Sequence, residues 1–163
     1  MGSNIWNYSG CDNCPVENVS KREVERFIKK LNKKSGHIKF RLPTVAEWQF
    51  AATGAYFSKK YSFPGGNNID SLAWYENNAA GGVHSVKGKA SNEIGLYDMA
   101  GNVWEFCEFD QLSPRNGYFS RRTIACGGGW SSESYYCQPA SCVHLFTSNK
   151  LKALGFRLAF SLK

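Results

Sequence analysis

Sulfur and imidazole groups set the chemistry open to this chain. Six cysteines are present, Cys11, Cys14, Cys107, Cys126, Cys137 and Cys142, beside three histidines, His37, His84 and His144. Cys11-x-x-Cys14 has the spacing of a redox pair or of half a zinc site. A structural zinc needs four soft or imidazole ligands, and no second pair stands at ligand spacing, so zinc is not expected. The histidines are scattered, with no metal-ligand spacing among them. The other conspicuous chemistry is polar and aromatic. Between Trp130 and Leu154 the chain carries Ser131, Ser134, Tyr136, Ser141, His144, Leu145 and Phe146. Adaptable hydroxyls interleaved with rigid aromatics make contact surfaces, because tyrosine offers a large area with few rotors and serine adjusts its hydrogen bonds. Val143, Leu145 and Phe146 follow neither strand nor helix periodicity within this polar stretch, so exposure is expected for them.

Several elements must position these groups. Ser20-Lys21-Arg22-Glu23 is a capping-box pattern. Val24, Phe27, Ile28 and Leu31 then recur at helical spacing until Gly36, which predicts an amphipathic helix over 21–34. Thr44-Val45-Ala46-Glu47 is a second capping box behind Pro43, predicting a short helix over 45–53 with Trp48 and Ala52 inward. Pro64-Gly65-Gly66-Asn67-Asn68 and Gly81-Gly82 are turn clusters, so residues 55–100 read as loops with brief strands. Val103–Phe106, Thr123–Cys126 and Gly155–Ser161 read as strands, the last with Phe156, Leu158 and Phe160 alternating. Residues 1–18 lack periodicity and form an irregular N-terminal segment, and residues 19–163 read as a single domain. Two early helices followed by short strands give the α+β class.

Composition bounds the function. A chain of 163 residues with 42% hydrophobic and 15% aromatic content can build one real core, and 16 glycines imply many tight turns. The formal charge is +7, concentrated at Lys21, Arg22, Arg26, Lys29, Lys30, Lys33 and Lys34. These fall opposite the apolar stripe of the first helix and read as a solvated face. No motif that reads nucleic-acid bases accompanies them, so nucleic acid is not an expected partner. No apolar run approaches the roughly 18 residues that a membrane span requires.

Three separated blocks carry a family resemblance: Arg41-Leu42-Pro43-Thr44-Val45-Ala46-Glu47-Trp48, then Gly95-Leu96-Tyr97-Asp98-Met99-Ala100-Gly101-Asn102-Val103-Trp104-Glu105, then Gly155-Phe156-Arg157. In this order they resemble the formylglycine-generating-enzyme (sulfatase-modifying factor) domain, a branch of the C-type-lectin-like fold. The resemblance implies two short helices, small antiparallel sheets, many loops, and pairing of N- and C-terminal strands. It implies scaffold roles for Gly101, Asn102, Trp104 and Phe106, and an Arg157 fork on a carboxylate or carbonyls, with Asp98 and Glu105 as candidates. It also brings calcium forward as a possible ion, with Asn102, Glu105, Asn67 and Asp70 as oxygen donors.

For the enzymes of this family the resemblance implies a copper-dependent oxidase acting on a cysteine thiol. Two thiolates of the segment Gly127-Gly128-Gly129-Trp130-Ser131-Ser132-Glu133-Ser134-Tyr135-Tyr136-Cys137 would hold copper(I), which favours soft ligands. Here the first position is Ser132 and the second Cys137. An active-site serine position holds Gly129, and an asparagine position holds Ala153. No catalytic residue is therefore assigned. The altered segment is similar to that of the variable proteins of diversity-generating retroelements, whose C-terminal segment is rewritten at adenines. The resemblance implies a non-catalytic protein at the cell surface or outside the cell. It would display residues 131–148 to a protein or cell-surface ligand, with Ser131, Ser134, Tyr136, Ser141, His144, Leu145 and Phe146 variable. Trp130, Glu133, Gln138, Lys150 and Lys152, which adenine changes in asparagine codons cannot produce, would be fixed or would vary from other template codons.

Overall fold

The structure, a computed structural model, describes residues 11–109 and 122–162. Helix α1 (Lys21–Asn32) starts where its capping box predicts: the Ser20 hydroxyl accepts the Glu23 N–H and the Glu23 carboxylate accepts the Ser20 N–H at 2.8 Å. It ends two residues earlier than the apolar spacing suggests. The Asn32 amide reaches across to the next strand, donating to Phe40 O at 2.8 Å and accepting from Phe40 N at 2.7 Å. Strand β1 (Ile38–Arg41) is thereby tied to the helix end. Helix α2 (Val45–Ala52) has the second capping box, with Trp48 and Ala52 buried as predicted, and Gly54 follows it in the left-handed region.

The remaining strands are β2 (Trp104–Cys107), β3 (Arg122–Cys126), β4 (Cys142–Phe146), β5 (Leu154–Gly155) and β6 (Ala159–Leu162). β1 pairs antiparallel with β6, Phe40 opposite Phe160, which joins the two ends of the domain. The second sheet has the order β4-β3-β2-β5. Its β2–β3 and β3–β4 ladders are antiparallel, and its β2–β5 pairing is parallel. The strand expected over 155–161 is thus divided between two sheets. Phe156 packs into the core between its halves and Arg157 turns toward β2.

Strand alternation gives this sheet two buried faces. On one, Phe106, Ala125 and Leu154 meet Val24 of α1, with Val19 and Leu42. On the other, Cys107 and Cys126 meet Trp48 and Ala52 of α2, with Met99. Each large apolar side chain removed from water here contributes about 1.5–3 kcal/mol. Residues 55–100 contain two 3-10 turns, Ala55–Phe57 and Ile69–Ser71, and isolated bridges rather than strands. Asparagine amides stand in for the missing ladders. Asn92, for example, donates to Ala51 O and accepts from Ile94 and Leu96 N–H. Two disulfides are formed, Cys11–Cys14 and Cys126–Cys142, the second joining facing positions of β3 and β4.

Candidate functional site

The three sequence blocks converge on one buried carboxylate. Glu105 of β2 is 5% exposed. Its Oε2 accepts the Trp48 indole N–H at 2.6 Å, and both its oxygens accept from Arg157, Oε1 from Nη2 at 2.7 Å and Oε2 from Nε. Arg157 Nη2 also donates to the backbone oxygens of Tyr97 and Asp98. Burial pulls the guanidinium pKa down, and the Glu105 charge and hydrogen bonds outweigh it, so the net shift is upward. Of the two carboxylates expected for Arg157, Glu105 makes the fork and Asp98 contributes its backbone. The turn before β2 is sterically fixed. Gly101 sits at φ +70°, and a Cβ there would lie 2.2 Å from Trp74 O. Asn102, at φ +63°, bonds both the N–H and the C=O of His84 through its amide.

These partners test the calcium ligand set expected from the resemblance. Asn102 and Glu105 spend their side-chain oxygens on His84 N–H, Trp48 and Arg157. Asn67 accepts Ser62 N–H, and Asp70 accepts the Tyr75 hydroxyl. Calcium requires about 6–8 oxygen ligands converging on one point. The four candidates instead stand in separate hydrogen-bonding roles, so this donor set does not fit the ion. Among the described residues no group of three or more His, Cys, Asp or Glu side chains could hold a metal.

The sulfur groups are equally committed. At the first thiolate position the Ser132 hydroxyl is buried and accepts the Gly129 N–H at 2.9 Å. At the second, Cys137 is 0% exposed, and burial pushes its thiol pKa up to about 12. Cys126 and Cys142, the two alternatives nearest in sequence, are bonded to each other. Cys107 is free, but it is buried among the side chains around Trp48, and burial raises its pKa strongly. Gly129, at the active-site serine position, has no room for a side chain: a Cβ would meet Ala153 Cβ at 2.8 Å. Two clefts open nearby, one of about 390 Å³ over Glu105 and Arg157 and one of about 450 Å³ between α2 and residues 138–140, and neither has a cysteine in its wall.

The seven candidate contact residues do not form one cluster. Ser131 and Ser134 are exposed, Ser134 on a 3-10 turn spanning Ser134–Cys137. Tyr136 is 39% exposed and packs edge-on against Trp104 at 5.9 Å. The Ser141 hydroxyl donates to Tyr135 O at 2.9 Å and shapes the approach to β4. On β4, His144 and Phe146 point to one face and are exposed, Phe146 at 54% with Arg122 over its ring. Leu145 points to the other face and packs, half-buried, against the Phe106 core. The exposure expected of Leu145 is therefore corrected, and so is that of Val143, which packs half-buried against the same core. An edge strand with apolar side chains on both faces hides its alternation, which is why β4 was not legible. Tyr135, 64% exposed and next to Tyr136 at 5.5 Å, belongs to the same surface. Its place in the Ser-Tyr-Tyr run is the signal that was available. Glu17, also unforeseen, pins the segment from both ends: it accepts the Trp130 indole N–H at 3.0 Å and the Ala153 N–H at 2.8 Å.

The comparisons with known proteins agree with this geometry. The family model described as the sulfatase-modifying factor enzyme 1-like domain matches residues 2–162. A formylglycine-generating enzyme of Streptomyces coelicolor is 35% identical over 152 residues, covering 82% of this chain and 46% of that protein. The chaperone protein LppX of Paenibacillus barcinonensis is 36% identical over 110 residues, covering 57% of this chain and 39% of that one. The chain thus spans less than half the length of these two curated relatives. Among solved structures, Treponema denticola variable protein 1 superposes with a TM-score of 0.79 at 26% identity, covering 96% of this chain and 74% of that chain. With the Trp48–Glu105–Arg157 centre assembled from all three blocks, the chain belongs to the sulfatase-modifying factor enzyme 1-like domain family and has its α+β, C-type-lectin-like fold.

Proposed function

We propose that this chain is a non-catalytic ligand-binding module that presents residues 131–148, on a rigid C-type-lectin-like scaffold, to a protein or cell-surface ligand. The observation that carries this reading is the state of the sulfur. A copper-dependent thiol oxidase of this type would need two thiolates at one open point to hold copper(I). The segment instead offers a buried Ser132 hydroxyl, a sealed Cys137 thiol and a Cys142 bound to Cys126. Its exposed groups include Ser131, Ser134, Tyr135, Tyr136, His144 and Phe146, the composition of an adaptable contact surface. Similarity to Treponema denticola variable protein 1 supports a retroelement-diversified surface, and with it a place at the cell surface or outside the cell. Two of the five positions expected to stay fixed have scaffold partners: Trp130 bonds Glu17, and Lys150 pairs with Glu23 at 2.6 Å.

A copper(I) titration of the native chain, with alkylation mapping of its thiols, tests the reading. No stoichiometric copper and no fast-reacting Cys137 are expected at neutral pH. One equivalent of copper bound through Cys137 and a second cysteine would instead make the chain an oxidase of the formylglycine-generating type.

A further inference from the structure

Strand β4 lies at the edge of its sheet, and its ladder parity fixes which backbone groups face outward. In an antiparallel pair, residues alternate between positions that bond across the ladder and closer positions that do not. Cys126 and Cys142 face each other with Cα atoms 4.1 Å apart, the closer kind. The neighbouring pair is bonded, Gly127 N–H donating to Ser141 O. Counting along β4, Val143 and Leu145 turn their N–H and C=O groups to β3, while Cys142, His144 and Phe146 turn theirs away. Phe146 bears this out. Its N–H donates to Asn149 Oδ1 at 2.6 Å and its C=O accepts Asn149 N–H at 2.9 Å, both outside the ladder. Asn149 thus closes one end of the edge. Among the described residues nothing bonds the N–H or C=O of Cys142 or His144.

Protein edges of this kind are ordinarily blunted by lysine, proline, a bulge or an inward charge. The five residues Cys142-Val143-His144-Leu145-Phe146 contain neither a lysine nor a proline, and the disulfide to β3 holds the strand in place. The edge also spans the gap between the two groups of exposed residues. Ser141 and the Tyr135–Tyr136 turn adjoin its first residue, and Phe146 stands at its last, roughly 14 Å along the strand.

We infer that the ligand is captured by strand addition: an extended, acidic peptide segment of the partner pairs with β4 through the outward N–H and C=O groups of Cys142 and His144. This rests on the contact-surface reading above and gives it a mode. Main-chain bonds supply affinity that does not depend on the exposed side chains, and His144, Phe146 and the Tyr135–Tyr136 turn choose among sequences. Such a division lets the surface side chains change without loss of the docking geometry. The acidic character follows from charge. Two copies at +7 each repel, which disfavours pairing the edge with a second copy, and Arg122 over the Phe146 ring puts a positive charge at one end of the edge, which favours a negative segment.

The test begins with a displayed library of short random peptides panned on the folded chain. The tightest peptide is then synthesised and its affinity measured by fluorescence polarisation. Acidic, β-prone sequences are expected. His144→Pro removes an outward N–H that the β3 ladder does not use, so affinity should fall about tenfold or more, while His144→Ala stays within about threefold. N-methylation along the peptide gives a second reading that needs no protein variant: losses should alternate with a period of two residues. Unchanged binding to His144→Pro together with no alternation overturns strand capture. If Tyr136→Ala or Phe146→Ala abolishes that binding nonetheless, the contact surface stands without it, and if neither matters both ideas fall. Enrichment of no peptide also overturns the proposal, as does a dimer in sedimentation that His144→Pro dissociates, since the occupant would then be a second copy.

Discussion

Replacing Glu105 by alanine should remove the keystone of the scaffold. The substitution leaves Arg157, whose side chain is 26% exposed, without its counter-charge. It also leaves the Trp48 indole N–H without its acceptor. Breaking one side of a buried ion pair costs about 3–5 kcal/mol, and an orphaned buried donor costs about 1–3 kcal/mol. The two losses share one site and do not simply add. Arg157 also keeps the Tyr97 and Asp98 carbonyls. The expected loss is therefore about 3–5 kcal/mol, a large part of the roughly 5–15 kcal/mol that holds a domain together. At this chain length it lowers Tm by about 6–20 °C. Urea unfolding followed by tryptophan fluorescence measures it, with an unchanged slope showing that the native state is intact. Glu105→Gln keeps an acceptor for Trp48 and should lose less. A double Glu105→Met, Arg157→Met variant should recover much of the loss, because neither charge is then left unpaired. A loss below about 1 kcal/mol for Glu105→Ala would refute the idea that the three blocks exist to build this centre.

Other outcomes follow from individual contacts. Hydrogen bonds from Arg41 foremost hold the Glu47 carboxylate down at about 2 from 4.5, and those from Lys150 and Ser20 do the same for Glu23. Both groups have depressed folded-state pKa values, so their contribution is complete above pH 4.5 and fades as pH falls toward 2. Glu47→Gln should flatten that part of a stability-against-pH curve by less than about 1 kcal/mol, because the Arg41–Glu47 pair is half exposed. An unaltered curve would contradict this. Gly127→Ala places a Cβ 2.8 Å from the Trp48 ring at φ +98°, whereas Gly81→Ala, at φ +77°, meets nothing within 4 Å. Both should lose about 1–2 kcal/mol to the backbone, and Gly127→Ala a further 1–3 kcal/mol or so to the clash, as read by urea unfolding. Equal losses would mean that the ring yields freely. Tyr135→Ala and Phe146→Ala, at exposed positions, should each change stability by less than about 1 kcal/mol, and a larger drop would place them in the core.

What the residues disclosed and what they hid divide along physical lines. Both helices were legible because capping boxes and the burial of Val24, Trp48 and Ala52 are local properties of neighbouring positions. Strand β4 was hidden because its exposed face carries Phe146 while its other face carries Val143 and Leu145, so burial alternates but apolar type does not, and Leu145 was misplaced for the same reason. The stretch 55–100 was legible as loops. How it is held was not, since Asn92 and Asn102 act through bonds to residues far along the chain. The loss of the paired thiolates could be read at Ser132. That Cys142 is no substitute depended on its pairing with Cys126, and six cysteines leave many pairings open. Glu17 lies more than a hundred positions from Trp130, and nothing in its local pattern marks it as the pin of the contact segment.

Sequencing this whole chain at its locus from many isolates tests the claimed contact surface of residues 131–148 most directly. Replacements should gather at Ser131, Ser134, Tyr135, Tyr136, Ser141, His144 and Phe146, with Leu145 changing only among apolar types. Trp130, Ser132, Cys137, Cys142 and Lys150 should stay as they are. A segment as uniform as the Glu105 centre, or changes falling on Ser132 and Cys137 as often as on the exposed aromatics, would contradict the account.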